Sequence, residues 1–103
     1  MADMMQKAQA MKQKMQEMQQ KVMLMEIQGT AGAGMVNVVA NGKGELSSVK
    51  IEPGIVNGDD VEMLEDLIVA AVNDARGKAE QKVAEETQKI MSDLGLPPGL
   101  DLF

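Results

Sequence analysis

The sequence contains no cysteine, histidine, tryptophan or tyrosine, and Phe103 is its only aromatic residue. Without cysteine it has no disulfide, thiolate nucleophile or cysteine-based metal site. Without histidine it lacks the commonest general base and transition-metal ligand. A carboxylate or a lysine could still support simple chemistry, but no catalytic constellation is visible. We therefore expect a protein that is not an enzyme, takes no small-molecule substrate and needs no cofactor or metal.

The scarcity of aromatic residues also limits the core. Aromatic side chains usually supply much of the buried area of a small domain, whereas here eleven methionines contribute to an apolar content of 45%. A chain of 103 residues has room for one domain, residues 1–103, with a modest core. We expect that core to be completed by a second copy, giving a homodimer.

No apolar run approaches the roughly 20 residues of a membrane span, and the N-terminus lacks the apolar core of a signal peptide. The sequence therefore predicts a cytoplasmic protein without a membrane partner.

The net charge of −6 has the wrong sign for DNA binding by overall electrostatics. Its distribution is uneven. Residues 59–74 contain six acidic residues and no basic one, whereas residues 1–25 carry a net charge of +2 and residues 75–91 a net charge of +1. Two stretches of the chain are therefore slightly basic.

The first predicted element is a helix over residues 3–26, within an N-terminal arm of residues 1–26. Its apolar residues recur at alternating steps of four and three, which is typical of a helical seam; they are Met4, Ala8, Met11, Met15, Met18, Val22 and Met25. Gly29 is expected to end this helix, and Gly32 and Gly34 continue a pliable stretch.

Residues 27–53 predict a small three-stranded antiparallel sheet. Residues 35–40 are rich in valine and alternate in part, which favours a strand, and a return strand follows over residues 46–52. Between them Asn41 and Gly42 predict a two-residue type I′ turn, in which both central residues have positive φ. Gly44 is a candidate bulge, and residues 27–31 could add a short third strand.

A second, long helix is predicted over residues 59–92. Asp59 is its expected N-cap, with Glu62 as the capping-box partner. Such a helix would be about 50 Å long, longer than the roughly 33 Å diameter of a compact globule of this size. Its apolar stripe therefore needs a partner helix. Residues 93–103 form a tail containing Pro97 and Pro98.

These features resemble the YbaB/EbfC family of bacterial nucleoid-associated proteins over nearly the whole chain. The most specific stretch is EMLEDLIVAAVNDA, from Glu62 to Ala75. The methionine-rich first helix, the segment 32–36, the Asn41-Gly42 turn and the segment 96–99 support it by their order and spacing.

The resemblance implies an α+β protomer: a long N-terminal helix, a small antiparallel sheet and a long C-terminal helix, assembled into a tweezer-like homodimer in the bacterial nucleoid. It also implies binding to duplex DNA with little sequence preference, which influences nucleoid organisation and gene expression. The two long helices are the elements implied in DNA contact. Their basic residues are Lys7, Lys12, Lys14, Lys21, Arg76, Lys78, Lys82 and Lys89.

Each basic group has a second interpretation. Lys7, Lys14 and Lys21 repeat every seven residues, about 10 Å apart, and could follow a phosphate backbone. They could equally form a solvated face or pair with the acidic start of the second helix. Glu80, Glu85 and Glu86 interleave with the second group, which favours an exposed salt-bridged surface there.

The dimer interface is expected to bury apolar residues of both helices; the candidates are Met11, Met15, Met18, Leu64, Ile68 and Val83. An alternative function from another class is a helical protein-interaction or chaperone-like clamp without direct DNA binding, which the acidic net charge suits better. The glycines form no nucleotide site, because Gly42-Lys43 lacks the flanking residues of a P-loop.

Overall fold

The computed structural model describes residues 2–56 and 58–95. The described chain consists of two long helices and a three-stranded antiparallel sheet with strand order β1-β2-β3, which confirms the predicted α+β class. The elements are α1 (Ala2–Leu24), β1 (Ile27–Ala31), β2 (Val36–Ala40), β3 (Leu46–Ile51), a 3₁₀ turn (Pro53–Ile55) and α2 (Val61–Asp93). The predicted third strand is therefore present as β1. The prolines of the tail, Pro97 and Pro98, lie outside the described residues.

The core forms where one face of the sheet packs against α2. Val36, Val38 and Ala40 point from β2 into this layer, where Ala71 and Ala75 of α2 are buried against them. Small residues on α2 let the helix lie close to the strands. This explains how the chain builds a core with almost no aromatic side chains.

Gly29 has a different role from the one predicted, because α1 already ends at Leu24 and Gly29 lies inside β1. A Cβ at Gly29 would collide with the carbonyl oxygen of Ala71 and would lie 2.6 Å from the Cβ of Ala75. Gly29 is therefore the point at which the backbones of β1 and α2 come into direct contact.

The β2–β3 hairpin also differs from the prediction. The backbone amide of Gly44 donates to the carbonyl oxygen of Asn41 (3.0 Å), and the backbone amide of Asn41 donates to the carbonyl oxygen of Glu45 (2.9 Å). Gly44, with φ of 83°, takes the positive φ instead of Gly42. The loop is thus a three-residue connection with a glycine in the left-handed region at its third position. The predicted type I′ turn is therefore wrong. The irregularity in the strand pairing lies not at Gly44, the candidate bulge, but beyond it, where Val39 pairs with Ser48 and Ala40 with Leu46.

The two helices run in opposite directions beside each other. Lys21 of α1 contacts Glu86 of α2, whereas the earlier Lys14 lines a cleft with the later Asp93. Met18 and Val22 of α1 are buried along this contact. Part of the apolar stripe of α2 is therefore covered by α1 within the protomer. The start of the predicted seam is open, since Met4 is 75% exposed. The molecule extends over 69 Å.

Two details of α2 complete the comparison with the sequence. The N-cap position is Asp60 rather than Asp59, because the helix begins at Val61. Gly77, in the middle of the helix, is exposed, and a Cβ built there would have no heavy atom of the described residues within 4 Å. It therefore marks no close helix approach.

Candidate nucleic-acid interface

The basic residues predicted to contact DNA lie on the two antiparallel helices, and all eight are exposed. Lys7, Lys12, Lys14 and Lys21 lie along α1, and Arg76, Lys78, Lys82 and Lys89 lie along the second half of α2. Because Lys21 and Glu86 bring the helices together, residues 14–21 of α1 lie beside residues 86–93 of α2. The structure thus brings the ends of the two groups together and leaves Lys7 and Lys12 further out on α1.

Five of these lysines form ion pairs within the chain. Lys14 pairs with Glu17 (3.6 Å) and Lys78 with Asp74 (2.9 Å). Lys21, Lys82 and Lys89 all approach Glu86. Within residues 2–56 and 58–95, Lys7 and Lys12 have no ion pair. The two groups therefore differ: in the described chain the outer part of α1 carries ammonium groups without an ion pair, whereas all three lysines of α2 sit beside carboxylates.

Glu86 is the centre of the largest charge cluster in the described chain. Its side chain is 9% exposed, and its Oε2 accepts a hydrogen bond from Nζ of Lys21 at 2.6 Å. Nζ of Lys82 and Nζ of Lys89 each lie 3.7 Å from Oε1. The hydrogen bond from Lys21 is the main cause that lowers the pKa of Glu86; burial opposes it, and the charges of the three lysines add to it. The cluster joins α1 to α2 and retains a net charge of +2.

Asp74 makes the second such connection, between α2 and the sheet. Its Oδ2 accepts hydrogen bonds from the backbone amide of Thr30 (3.0 Å) and from Nζ of Lys78 (2.9 Å). These bonds, with that of Lys78 the stronger influence, lower the pKa of Asp74 against the opposing effect of burial. Since β1 is an edge strand, Asp74 satisfies an amide that the sheet leaves unpaired.

Lys43, which the sequence interpretation did not select, lies at the tip of the β2–β3 hairpin. It lines a cleft of about 350 Å³ with Gln16, Gln19, Gln20 and Met23 of α1. On its other side it lines a smaller cleft, of about 130 Å³, that includes Arg76 and Glu80 of α2. The Asn41-Gly42 turn signal marked the loop, but nothing in the sequence showed that this loop sits between the two helices.

The residues predicted for the dimer interface occupy mixed environments in the protomer. Met18 is buried against the rest of the chain. Met11, Met15 and Leu64 are half-buried. Ile68 packs at the edge of the core, and Val83 lies beside the hairpin, near Gly42.

The described residues contain neither a candidate metal site nor a membrane-spanning helix. Among residues 2–56 and 58–95, no group of three acidic side chains converges in a way that could hold a metal ion. None of the helices described has the length and apolar content needed to cross a membrane.

Comparisons with known proteins identify the relatives of this fold. A nucleoid-associated protein of Rhodospirillum centenum is 52% identical over 102 residues, covering 99% of this chain and 95% of that protein. Nucleoid-associated proteins of Paramagnetospirillum magneticum and Brucella ovis, at 52% and 45% identity, match over the same length.

A similar fold is found in the crystal structure of an uncharacterized protein from Helicobacter pylori. The TM-score is 0.71 at 24% identity, over 82% of this chain and 88% of the other. The YbaB/EbfC DNA-binding family matches residues 1–94. With its two helices, its three-stranded sheet and relatives at about half identity over 95% of their length, the chain belongs to the YbaB/EbfC DNA-binding family.

Proposed function

We propose that this protein binds duplex DNA through the phosphate backbone, with little sequence preference, and acts in the bacterial nucleoid, where it influences nucleoid organisation and gene expression. Family membership supports DNA as the partner. The observation that carries the mode of binding is the line of exposed lysines along α1, which includes Lys7 and Lys12, the two without an ion pair among the described residues. Lysine ammonium groups are common donors to phosphate oxygens, and such contacts carry no sequence information.

The negative net charge is compatible with this binding because most of the acidic segment lies far from the lysines where α1 meets the end of α2. Five of its six acidic residues lie between Asp59 and Asp66, and Lys89 follows Asp66 by 23 residues on α2. At 1.5 Å per residue Asp66 and Lys89 are about 35 Å apart. Charges in solution are screened over about 8 Å at physiological salt. These five residues therefore do little to weaken the local field around Lys89 and the lysines of α1, whereas the sixth, Asp74, pairs with Lys78.

The functional unit in this proposal is a homodimer. Val38 pairs with Val49 of β3, and Ala40 pairs with Leu46, so all four lie on the face of the sheet that packs on α2. The helix covers the β2 residues completely, whereas Leu46 and Val49 remain 41% and 43% exposed. A second copy that covers this part of β3 would remove the apolar surface from water. The helical residues proposed to support the same assembly are Met11, Met15, Leu64, Ile68 and Val83, which keep some exposed surface. Met18, the sixth candidate, is only 2% exposed within the protomer and would support them from beneath.

The binding mode is tested by measuring the affinity of purified protein for random-sequence duplex at several salt concentrations. Phosphate binding predicts a straight log–log plot with a slope of about −0.9 for each phosphate neutralised. Lys12→Glu should weaken binding to all sequences alike and leave the oligomeric state unchanged, whereas Lys12→Arg, which keeps the charge, should bind normally. Affinity that is insensitive to salt would contradict the mechanism.

The exposed apolar residues of α1 favour one alternative, a helical clamp that holds another protein. Met4, Met5, Met23 and Leu24 all project from this helix into solvent. Partners captured by the purified protein before and after nuclease treatment separate the two functions. Partners that persist after nuclease, together with no affinity for duplex, would favour the clamp.

A further inference from the structure

We infer that the tip of the β2–β3 hairpin is a third DNA contact, in which Lys43 binds a backbone phosphate between the two helices. The inference rests on the proposed DNA-binding function. The site is on neither helix, and hydrogen bonds hold the backbone of this lysine in place.

The backbone around Lys43 is fixed by side-chain hydrogen bonds from within the hairpin. Oδ1 of Asn41 accepts from the amide of Lys43 (2.9 Å) and from the amide of Glu45 (3.1 Å). Nδ2 of Asn41 donates to Oε1 of Glu45 (3.1 Å). These bonds stabilise the backbone of the three-residue loop, with Lys43 at its tip.

Both helices also hold the hairpin. The amide of Gly42 donates to the carbonyl oxygen of Val22 in the last turn of α1 (2.8 Å). Nε of Arg76, on α2, donates to the carbonyl oxygen of Gly44 (3.3 Å). A Cβ at Gly42 would lie 2.7 Å from Val22, so the loop is packed as well as hydrogen-bonded. A group held on a rigid support loses less conformational entropy when it binds.

The surroundings of Lys43 suit a phosphodiester. On one side, the amides of Gln16, Gln19 and Gln20 line a cleft with it, and glutamine amides donate hydrogen bonds to phosphate and sugar oxygens. On the other side, Arg76 lines the smaller cleft and uses only one of its five donors in the bond to Gly44. Within the described chain Lys43 itself has no ion pair.

Two acidic residues near Lys43 oppose this binding: Glu45, in the hairpin itself, and Glu80, on α2. Glu80 lines the same cleft as Lys43 and Arg76. Its carboxylate reduces the positive potential in the cleft. Removing that negative charge should therefore raise the affinity for DNA, whereas removing the charge of Lys43 should lower it. The site therefore offers two substitutions whose effects on affinity should differ in direction.

The test measures the affinity of the full-length protein for random-sequence duplex from about 0.05 to 0.2 M salt. Lys43→Gln should weaken binding by about fivefold to tenfold at 0.1 M for each copy that contacts DNA, and the salt slope should become less steep by about 0.9. Glu80→Gln should strengthen binding. Lys50→Gln is the matched control, because Lys50 is an exposed lysine on the opposite face of the sheet and has no ion pair with any described residue. It should change affinity by less than about twofold.

The outcomes separate this inference from the proposed function. If the unmodified protein does not bind duplex at all, the proposed function fails. If it binds, and Lys43→Gln binds equally well or Lys50→Gln is equally impaired, the hairpin site is overturned while the proposed function stands. Inorganic phosphate binding at Lys43 without any effect of the substitution on duplex affinity would also overturn the inference. Unchanged thermal unfolding of Lys43→Gln would show that its loss of affinity is not a loss of folding.

Discussion

Replacing Gly29 with alanine tests the contact on which the whole fold is built. The added Cβ would lie 2.5 Å from the backbone nitrogen of Ala75 and 2.6 Å from its Cβ, well inside van der Waals contact. Because the obstructing atoms belong to the helix backbone and a methyl group, no side-chain rotation can relieve the clash. The helix must move away from β1, although Ala71 and Ala75 are completely buried there.

The magnitude follows from two opposing effects. Overpacking a tight core costs about 3 kcal/mol at the upper end of its usual range. Replacing a glycine within a strand returns about 0.5–1 kcal/mol of backbone entropy. The net loss of about 2 kcal/mol corresponds to a fall in Tm of about 8–16 °C for a domain of this size.

Gly77→Ala is the matched control for this substitution. It adds the same methyl group to an exposed helical position where the described residues leave open space. It should stabilise the protein by about 1 kcal/mol. Urea unfolding followed by helical circular dichroism, at one fixed protein concentration, measures both variants. A Gly29→Ala protein as stable as the original would show that β1 and α2 are not packed as described.

Three further results are expected. Glu86→Gln should destabilise the protein at neutral pH. Because the folded pKa of Glu86 is lowered, its ion pairs stabilise the fold above the ordinary glutamate pKa, and this stabilisation disappears as the pH falls below about 4. The unfolding curves of the two proteins should therefore converge in acid, and a difference that persists there would argue against the ion pairs. Val49→Lys should shift the protein toward monomer in analytical ultracentrifugation, and an unchanged mass would exclude β3 from the interface. Gly44→Ala should cost about 1 kcal/mol, because φ at this position is 83°, and equal stability in urea would contradict the loop conformation.

The long elements were predictable because their local signals agree. The apolar spacing along Val61–Asp93 and the valines of β2 gave the correct type of element at nearly the correct residues. The periodicity of α1 was correct, but it could not show that only its second half is covered by α2. Coverage depends on where two distant elements meet, and periodicity describes one element alone.

The sequence interpretation failed where tertiary contacts decide the role of a residue. Gly29 looked like a helix stop, whereas its lack of a side chain serves the approach of α2. Asn41-Gly42 suggested positive φ at both residues, yet Asn41 uses its side chain to bond the amides that follow. Lys43 was missed because a lysine in a turn normally needs no explanation; only the packing of the hairpin between the helices makes its position notable.

The ion pairs in which a carboxylate has a single lysine partner, Lys14 with Glu17 and Lys78 with Asp74, change how salt titrations of this protein should be interpreted. A lysine that leaves such a carboxylate to contact a phosphate leaves behind an anion, which attracts a cation from solution. The exchange then releases fewer ions overall than the number of new phosphate contacts. A lysine without an ion pair in the described chain, such as Lys12, would release the full number. A count of bound phosphates taken from ion release alone would therefore be too low, and the shortfall would measure how many internal partners the lysines had exchanged.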